Sequence, residues 1–280
     1  MKKYYLGVYE KAMPSTLTWK EKLETARAAG YDFVEISIDE TDAKLARLEW
    51  TKEERLALVE EMKTVGVPIR SMCLSGHRKY PLGSNDPATV ARGMEIMEKA
   101  IELADDLGIR IIQLAGYDVY YEEGSEETRA RFEENLRKAV DMAATAGIVM
   151  GFETMETEFM NTVEKSMVYV NKMNSPYLGV YPDMGNITNA AVSYGKDVVD
   201  DIRTGAGHMV AAHLKETVPG VFREVPFGTG HVDFEATIKA CWEAGIRRYV
   251  TEMWYIGSPE WKKDLDQAVG MMRPILDAQE

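Results

Sequence analysis

A chain of 280 residues that is 45% hydrophobic and 9% aromatic holds enough apolar material for one large core. Its 46 acidic against 33 basic residues give a net charge of −13, which argues against a nucleic-acid surface, since that needs concentrated Lys and Arg. Only Cys73 and Cys241 are present, so no disulfide framework is implied and a reducing compartment is the simpler setting. A local basic pocket for a small phosphorylated ligand remains compatible with this balance.

The opening MKKYYLGVYE has neither an apolar h-region nor a cleavage site, and no apolar run is long enough to span a bilayer. A cytoplasmic protein with no membrane partner is expected.

In chain order the expected strands are YYLGVYE, YDFVEISI, PIRSMCLS, IRIIQLAG, IVMGFET, LGVYPDM, HMVAAHLK and YVTEMWY. Amphipathic stretches such as WKEKLETARAAG and RFEENLRKAVDMAATAG separate them. Near-continuous apolar strands alternating with helices predict a parallel sheet covered on both faces. Thr18-x-x-Glu21, Thr51-x-x-Glu54 and Asn161-x-x-Glu164 predict capped helix starts, and Asp86-Pro87 and Ser258-Pro259 place Pro at a first helical position. Gly30, Gly66, Gly108, Gly147 and Gly245 predict helix ends. The α/β pattern over residues 1–280 predicts a single (β/α)8 TIM-barrel domain. No Gly-rich fingerprint follows an early strand, which disfavours an open nucleotide-binding sheet. After the fourth strand, GYDVYYEEGSEE carries Tyr117, Tyr120 and Tyr121, which either form a lid over the mouth or pack against a neighbouring loop or subunit.

Four consecutive strands end in a polar residue: Glu153, Asp183, His213 and Glu252. Such residues converge on the C-terminal mouth of a parallel barrel, where this fold builds its active sites. Singly, each has a plainer account: an ion-paired strand end, a turn cap at Asp183, a core histidine. A carboxylate in a barrel strand, as at Glu252, is hard to bury without a partner. Together, three carboxylates and one imidazole suit a divalent cation, with Mn²⁺ or Mg²⁺ favoured and Zn²⁺ or Co²⁺ also accommodated.

A sugar's adjacent carbonyl and hydroxyl would chelate such an ion, which would stabilise the enediolate left when the neighbouring C–H proton is removed. Glu153 and Glu252 on opposite faces of the substrate would remove and return that proton, inverting a stereocentre. General acid–base catalysis supplies about 10²–10⁴-fold, a minor part of the roughly 8–23 kcal/mol that enzymes remove from barriers, so the cation and positioning must supply the remainder.

GVYEKAMP, FVEISIDETDAKLARLEW, SMCLSGHRKYPLGS, IQLAGYDVYY, PGVFREVPFGTGHVDF and the final EMW carry a resemblance over essentially the whole chain. It resembles the L-ribulose-5-phosphate 3-epimerase (L-xylulose-5-phosphate 3-epimerase) family of xylose-isomerase-like barrels, which serves L-ascorbate and related pentose catabolism. The resemblance implies a metal-dependent isomerase acting at C3 of a ketopentose 5-phosphate. It also implies Glu153, Asp183, His213 and Glu252 as ligands, Glu153 and Glu252 as the acid/base pair, and a homodimer. Met94, Met97 and Met271 on outer helices suit either a dimer seam or the core.

Related ketohexose 3-epimerases carry a substrate-binding His where this chain has Asn186, which favours the phosphopentose branch. The alternative is a ketose 3-epimerase, or an aldose–ketose or hydroxypyruvate isomerase, acting on an unphosphorylated substrate. Abasic-site endonucleases of the superfamily use several histidines on a zinc cluster, and His77, His208, His213 and His231 are too few.

Substrate contacts are expected from Ser75 and His77 in LSGHRKYPLGS, which also offers Arg78 and Lys79, and from Asn186, Lys215, Arg223 and Glu156. Lys11 lies at the same end, and the Gly228-x-Gly230 turn is a further candidate anion cradle.

Overall fold

A computed structural model describes residues 2–280. Eight parallel strands form the barrel: β1 Tyr5–Tyr9, β2 Phe33–Ile38, β3 Ile69–Leu74, β4 Ile111–Ala115, β5 Val149–Glu153, β6 Leu178–Tyr181, β7 Ala212–Leu214 and β8 Arg248–Thr251. They lie in the order β6-β5-β4-β3-β2-β1-β8-β7, every adjacent pair parallel. Between β6 and β7 there is no continuous ladder, only the isolated bridges Val180–Met209 and Asp183–His213. The barrel is therefore nearly closed. At Gly179 on this seam a Cβ would stand 2.2 Å from the His208 carbonyl oxygen, so the approach of the two segments requires glycine.

The strands bury both faces, one against the surrounding helices and one inside the barrel. Tyr9, Phe33, Cys73 and Val250 pack one layer of the interior, and Ile111, Tyr181 and Ala211 pack another. Cys73 and Cys241 are free and buried.

Thr18 and Thr51 close full capping boxes with Glu21 and Glu54, and Asp86 caps the helix Pro87–Leu107 with Pro87 at its first position. Gly66, Gly108 and Gly147 end their helices in the left-handed region. Two starts differ from expectation. Thr162, not Asn161, caps the helix Val163–Met173, and Asn161 instead contacts Lys165 and Tyr194. Pro259 lies two residues ahead of the helix Trp261–Asp277, because Ser258 closes a short turn onto the Glu260 amide. Met97 is fully buried in the core, and Met94 and Met271 pack half-buried against it.

Candidate metal centre and active site

Each strand end delivers one group to the mouth. Glu153 closes β5, Asp183 follows β6 by two residues, His213 is central in β7, and Glu252 directly follows β8. One ligand atom from each lies within 4.8 Å of every other, and all four residues are buried. Four donors about 2.1 Å from one cation lie about 3–4 Å apart, so little movement separates this arrangement from a coordination shell.

Unmatched charge supports the fit. Asp183 Oδ2 and Glu252 Oε2 are buried without a hydrogen-bond partner. Asp183 divides its roles: Oδ1 accepts from the Asn186 amide at 2.7 Å, capping the helix Met184–Tyr194, while Oδ2 faces the centre. The turn-cap and ligand readings of this residue thus apply to different oxygens. Lys215 Nζ stands 3.1 Å from Asp183 Oδ2 and 3.4 Å from Glu252 Oε2, near enough for charge attraction but not aligned for a hydrogen bond.

Burial, followed by the charge of Glu252, raises the Glu153 carboxyl above the usual range. Asp183 is held well above its usual value by burial, with Lys215 opposing. For Glu252, burial works upward, but Lys215 and His213 outweigh it and bring the carboxyl to about 2. Burial disfavours a charged His213, yet Glu35, Glu252 and Glu153 hold the imidazole well above its ordinary value. Protons or a cation must therefore offset the clustered carboxylates, and the hard oxygen-rich donor set suits a divalent ion.

Sequence reasoning missed two buried residues that set the geometry. His213 Nδ1 faces Glu153 Oε1 at 3.0 Å, Glu252 Oε2 at 3.6 Å and Asp183 Oδ2 at 3.9 Å, whereas Nε2 is 2.6 Å from Glu35 Oε1. Glu35 Oε2 accepts from Ser71 Oγ at 2.6 Å and Tyr181 OH at 2.9 Å. Gln113 on β4 donates to Glu153 Oε2. An acid inside the apolar strand FVEISI and an amide inside IIQLAG were the available signals.

The cavity above the centre is lined by Ser75, Asn186, Lys215, Arg223 and Glu156, together with Arg78, Tyr9, Lys11 and Trp254. His77 does not line it: it turns into the helix Pro87–Leu107, with Nε2 3.0 Å from the Gly93 carbonyl. Arg78 Nη2 donates to Tyr117 OH at 3.2 Å, the guanidinium lies 5.0 Å from the Tyr120 ring centroid, and Nε is buried without a partner. Glu156 accepts from Tyr117 OH at 2.7 Å and Tyr120 OH at 3.3 Å, with Arg223 at 3.7 Å. Tyr117 is thus packed into the mouth, while Tyr121 is exposed and reaches Glu40. The Gly228 amide donates to Glu216 Oε2 at 3.1 Å, so an internal carboxylate takes it in place of a ligand anion. His231 and His208 lie away from the four-residue cluster.

A family model described as a xylose isomerase-like TIM barrel matches residues 23–275. The L-ribulose-5-phosphate 3-epimerase UlaE of Salmonella paratyphi A is 49% identical over 250 residues, covering 89% of this chain and 87% of its own. The protein of the same name from Salmonella choleraesuis (strain SC-B67) is 50% identical over the same coverage. The chain belongs to this family, among the L-ribulose-5-phosphate 3-epimerases. Among solved structures, a D-psicose 3-epimerase from Clostridium cellulolyticum H10 with D-tagatose superposes with a TM-score of 0.81 at 15% identity, covering 97% of this chain and 99% of the other. An L-ribulose 3-epimerase gives 0.78 at 19% identity, covering 98% and 95%. These structures share the family's fold. Among the described residues no helix is long and apolar enough to cross a membrane.

Proposed function

We propose that this protein is a metal-dependent epimerase interconverting L-xylulose 5-phosphate and L-ribulose 5-phosphate, as the name of its relatives suggests. The observation that carries this reading is the pair of buried glutamates, Glu153 and Glu252, set around the unmatched Asp183 and Glu252 oxygens. The UlaE name points to a place in ascorbate catabolism.

Glu153, Asp183, His213 and Glu252 would hold the ion, Mn²⁺ or Mg²⁺ by donor type, with Zn²⁺ or Co²⁺ also compatible. Bound there, it would polarise the C2 carbonyl and offset the charge that develops on its oxygen as the C3 proton leaves. The chain's own groups do the rest. One of Glu153 and Glu252 takes the C3 proton from one face, and the other returns a proton from the opposite face. Gln113 orients Glu153 through one oxygen, leaving the other beside His213. Lys215 adds positive charge next to Asp183 and Glu252 and favours their ionised forms.

Asn186 is committed at both ends of its amide: Nδ2 donates to the Thr154 carbonyl at 2.7 Å and Oδ1 accepts from Lys215 at 2.8 Å. In this role it positions Lys215. Arg78, at the mouth with an unpartnered buried Nε, is the best-placed phosphate receptor, assisted by Ser75 and Arg223. Glu156 fixes the two tyrosines and the arginines that wall the cavity.

Comparing turnover of L-ribulose 5-phosphate with that of unphosphorylated L-ribulose tests the substrate class. Preference for the phosphate ester supports the proposal. Preference for the free ketose, or carbonyl transfer between C1 and C2, would replace it with the unphosphorylated ketose epimerase or isomerase reading.

A further inference from the structure

The opposite end of the barrel carries a second concave site. A cavity of about 590 Å³ lies around the N-terminal ends of the strands. Arg70 near the start of β3, Arg110 just before β4 and Arg248 at the start of β8 line it, with His208, Asn171 and Asn174. Its lining contains three arginines and no Asp or Glu, in a chain where acidic residues outnumber basic ones 46 to 33. Such local reversal of sign in a concave surface is not what a solvated acidic protein produces by average composition.

The three guanidiniums are largely uncommitted. Among the described residues Arg70 and Arg248 form no ion pair, and Arg70 lies 5.8 Å over the Tyr5 ring. Arg110 meets Asp105 at 3.3 Å, but both side chains are 60% exposed, and a pair so open to water holds the arginine weakly. Arg forks match phosphate and carboxylate oxygens two at a time, and three forks lining one cavity suit an anion of more than one charge. A volume near 590 Å³ accommodates a small metabolite. Glu252, directly after β8, is four residues beyond Arg248 at its start, about 13 Å along the strand direction. The basal cavity and the metal centre are therefore separate.

We propose that this basal cavity is a binding site for a small multivalent oxyanion, a phosphorylated or polycarboxylated metabolite, distinct from the substrate site. Arg70, Arg110 and Arg248 supply the charge and the paired donors, and Asn171 and Asn174 complete the polar wall. The assignment does not depend on the reaction catalysed at the other face.

Isothermal titration of the metal-loaded full chain with 2-phosphoglycolate and, separately, with tricarballylate tests this, the two probes distinguishing phosphate from carboxylate recognition. The expected result is saturable binding of at least one probe, weakened at least tenfold in Arg70→Gln/Arg248→Gln and changed less than twofold in Arg78→Gln. Turnover at the metal centre should be unchanged in the double variant. Both arginines are exposed, so these substitutions leave the core intact. The single charge reversal Arg248→Glu provides the same answer if the double variant folds poorly. Absence of saturable binding by both probes would overturn the assignment. So would binding that persists in Arg70→Gln/Arg248→Gln but falls in Arg78→Gln, since the anion would then occupy the active-site mouth.

Discussion

Glu35 Oε1 lies 2.6 Å from His213 Nε2, and the other ring nitrogen of His213 faces Glu153, Asp183 and Glu252. Glu35 is itself fixed by Ser71 and Tyr181, so both of its oxygens are engaged in a fully buried site. A carboxylate on the far nitrogen fixes which nitrogen is free to ligate and raises its basicity. The imidazole therefore presents Nδ1 to the centre in one orientation.

Replacing Glu35 with Gln keeps the size of the side chain and removes its charge. Removal of such a partner weakens metal binding about 10–100-fold. Manganese titration followed by electron paramagnetic resonance should show this loss with unchanged far-ultraviolet circular dichroism. Unaltered affinity would mean that Glu35 does not position the ligand.

Arg78 provides the test of phosphate recognition. A charge-assisted hydrogen bond is worth about 1.5–3 kcal/mol, so Arg78→Gln should raise KM for L-ribulose 5-phosphate by about 10–100-fold. Turnover of unphosphorylated L-ribulose should change little. An equal loss on both substrates would assign Arg78 to the walls of the mouth, through Tyr117 and Glu156.

His77 should report on stability. Burial lowers its pKa from 6.5 to about 4, against a modest upward effect of the Gly93 carbonyl. Between those values the unfolded chain binds the extra proton, so stability is lost as pH falls from 6.5 toward 4. The shift corresponds to ~3 kcal/mol at the acid end. His77→Gln retains a side-chain N–H donor but does not titrate. Urea denaturation at pH 7 and pH 4 should show a smaller acid loss in the variant than in the parent, and equal losses would contradict the assignment.

The barrel and its four-residue centre are legible because each apolar strand stops at a polar residue, as IVMGFE stops at Glu153 and MVAAHL passes His213. Strand ends also share one face of the barrel, so sequence position translates directly into proximity. Glu35 is different. It lies inside β2, its partner His213 is 178 residues away, and the β2–β3 register shifts between Val34 and Glu35. The acid inside the apolar run FVEISI is the one local sign, and it does not name the distant partner. His77 and Arg78 are adjacent in a basic cluster but diverge on a short turn, one into a helix and one into the cavity. Direction within such a turn is set by packing, which composition does not record. HMVAAHLK yields only the three-residue β7, since its first part faces β6 across the open seam and pairs there only by an isolated bridge.

The most direct test is transfer of solvent deuterium to C3 of L-xylulose 5-phosphate in D₂O, followed by NMR, with protein stripped of metal and then given Mn²⁺. Deuterium incorporation with inversion at C3, restored by the metal and abolished in Glu153→Gln and Glu252→Gln, is the predicted result. Failure to exchange at C3 with or without metal, or exchange at C1 instead, would contradict the assignment of these two glutamates to a 3-epimerase.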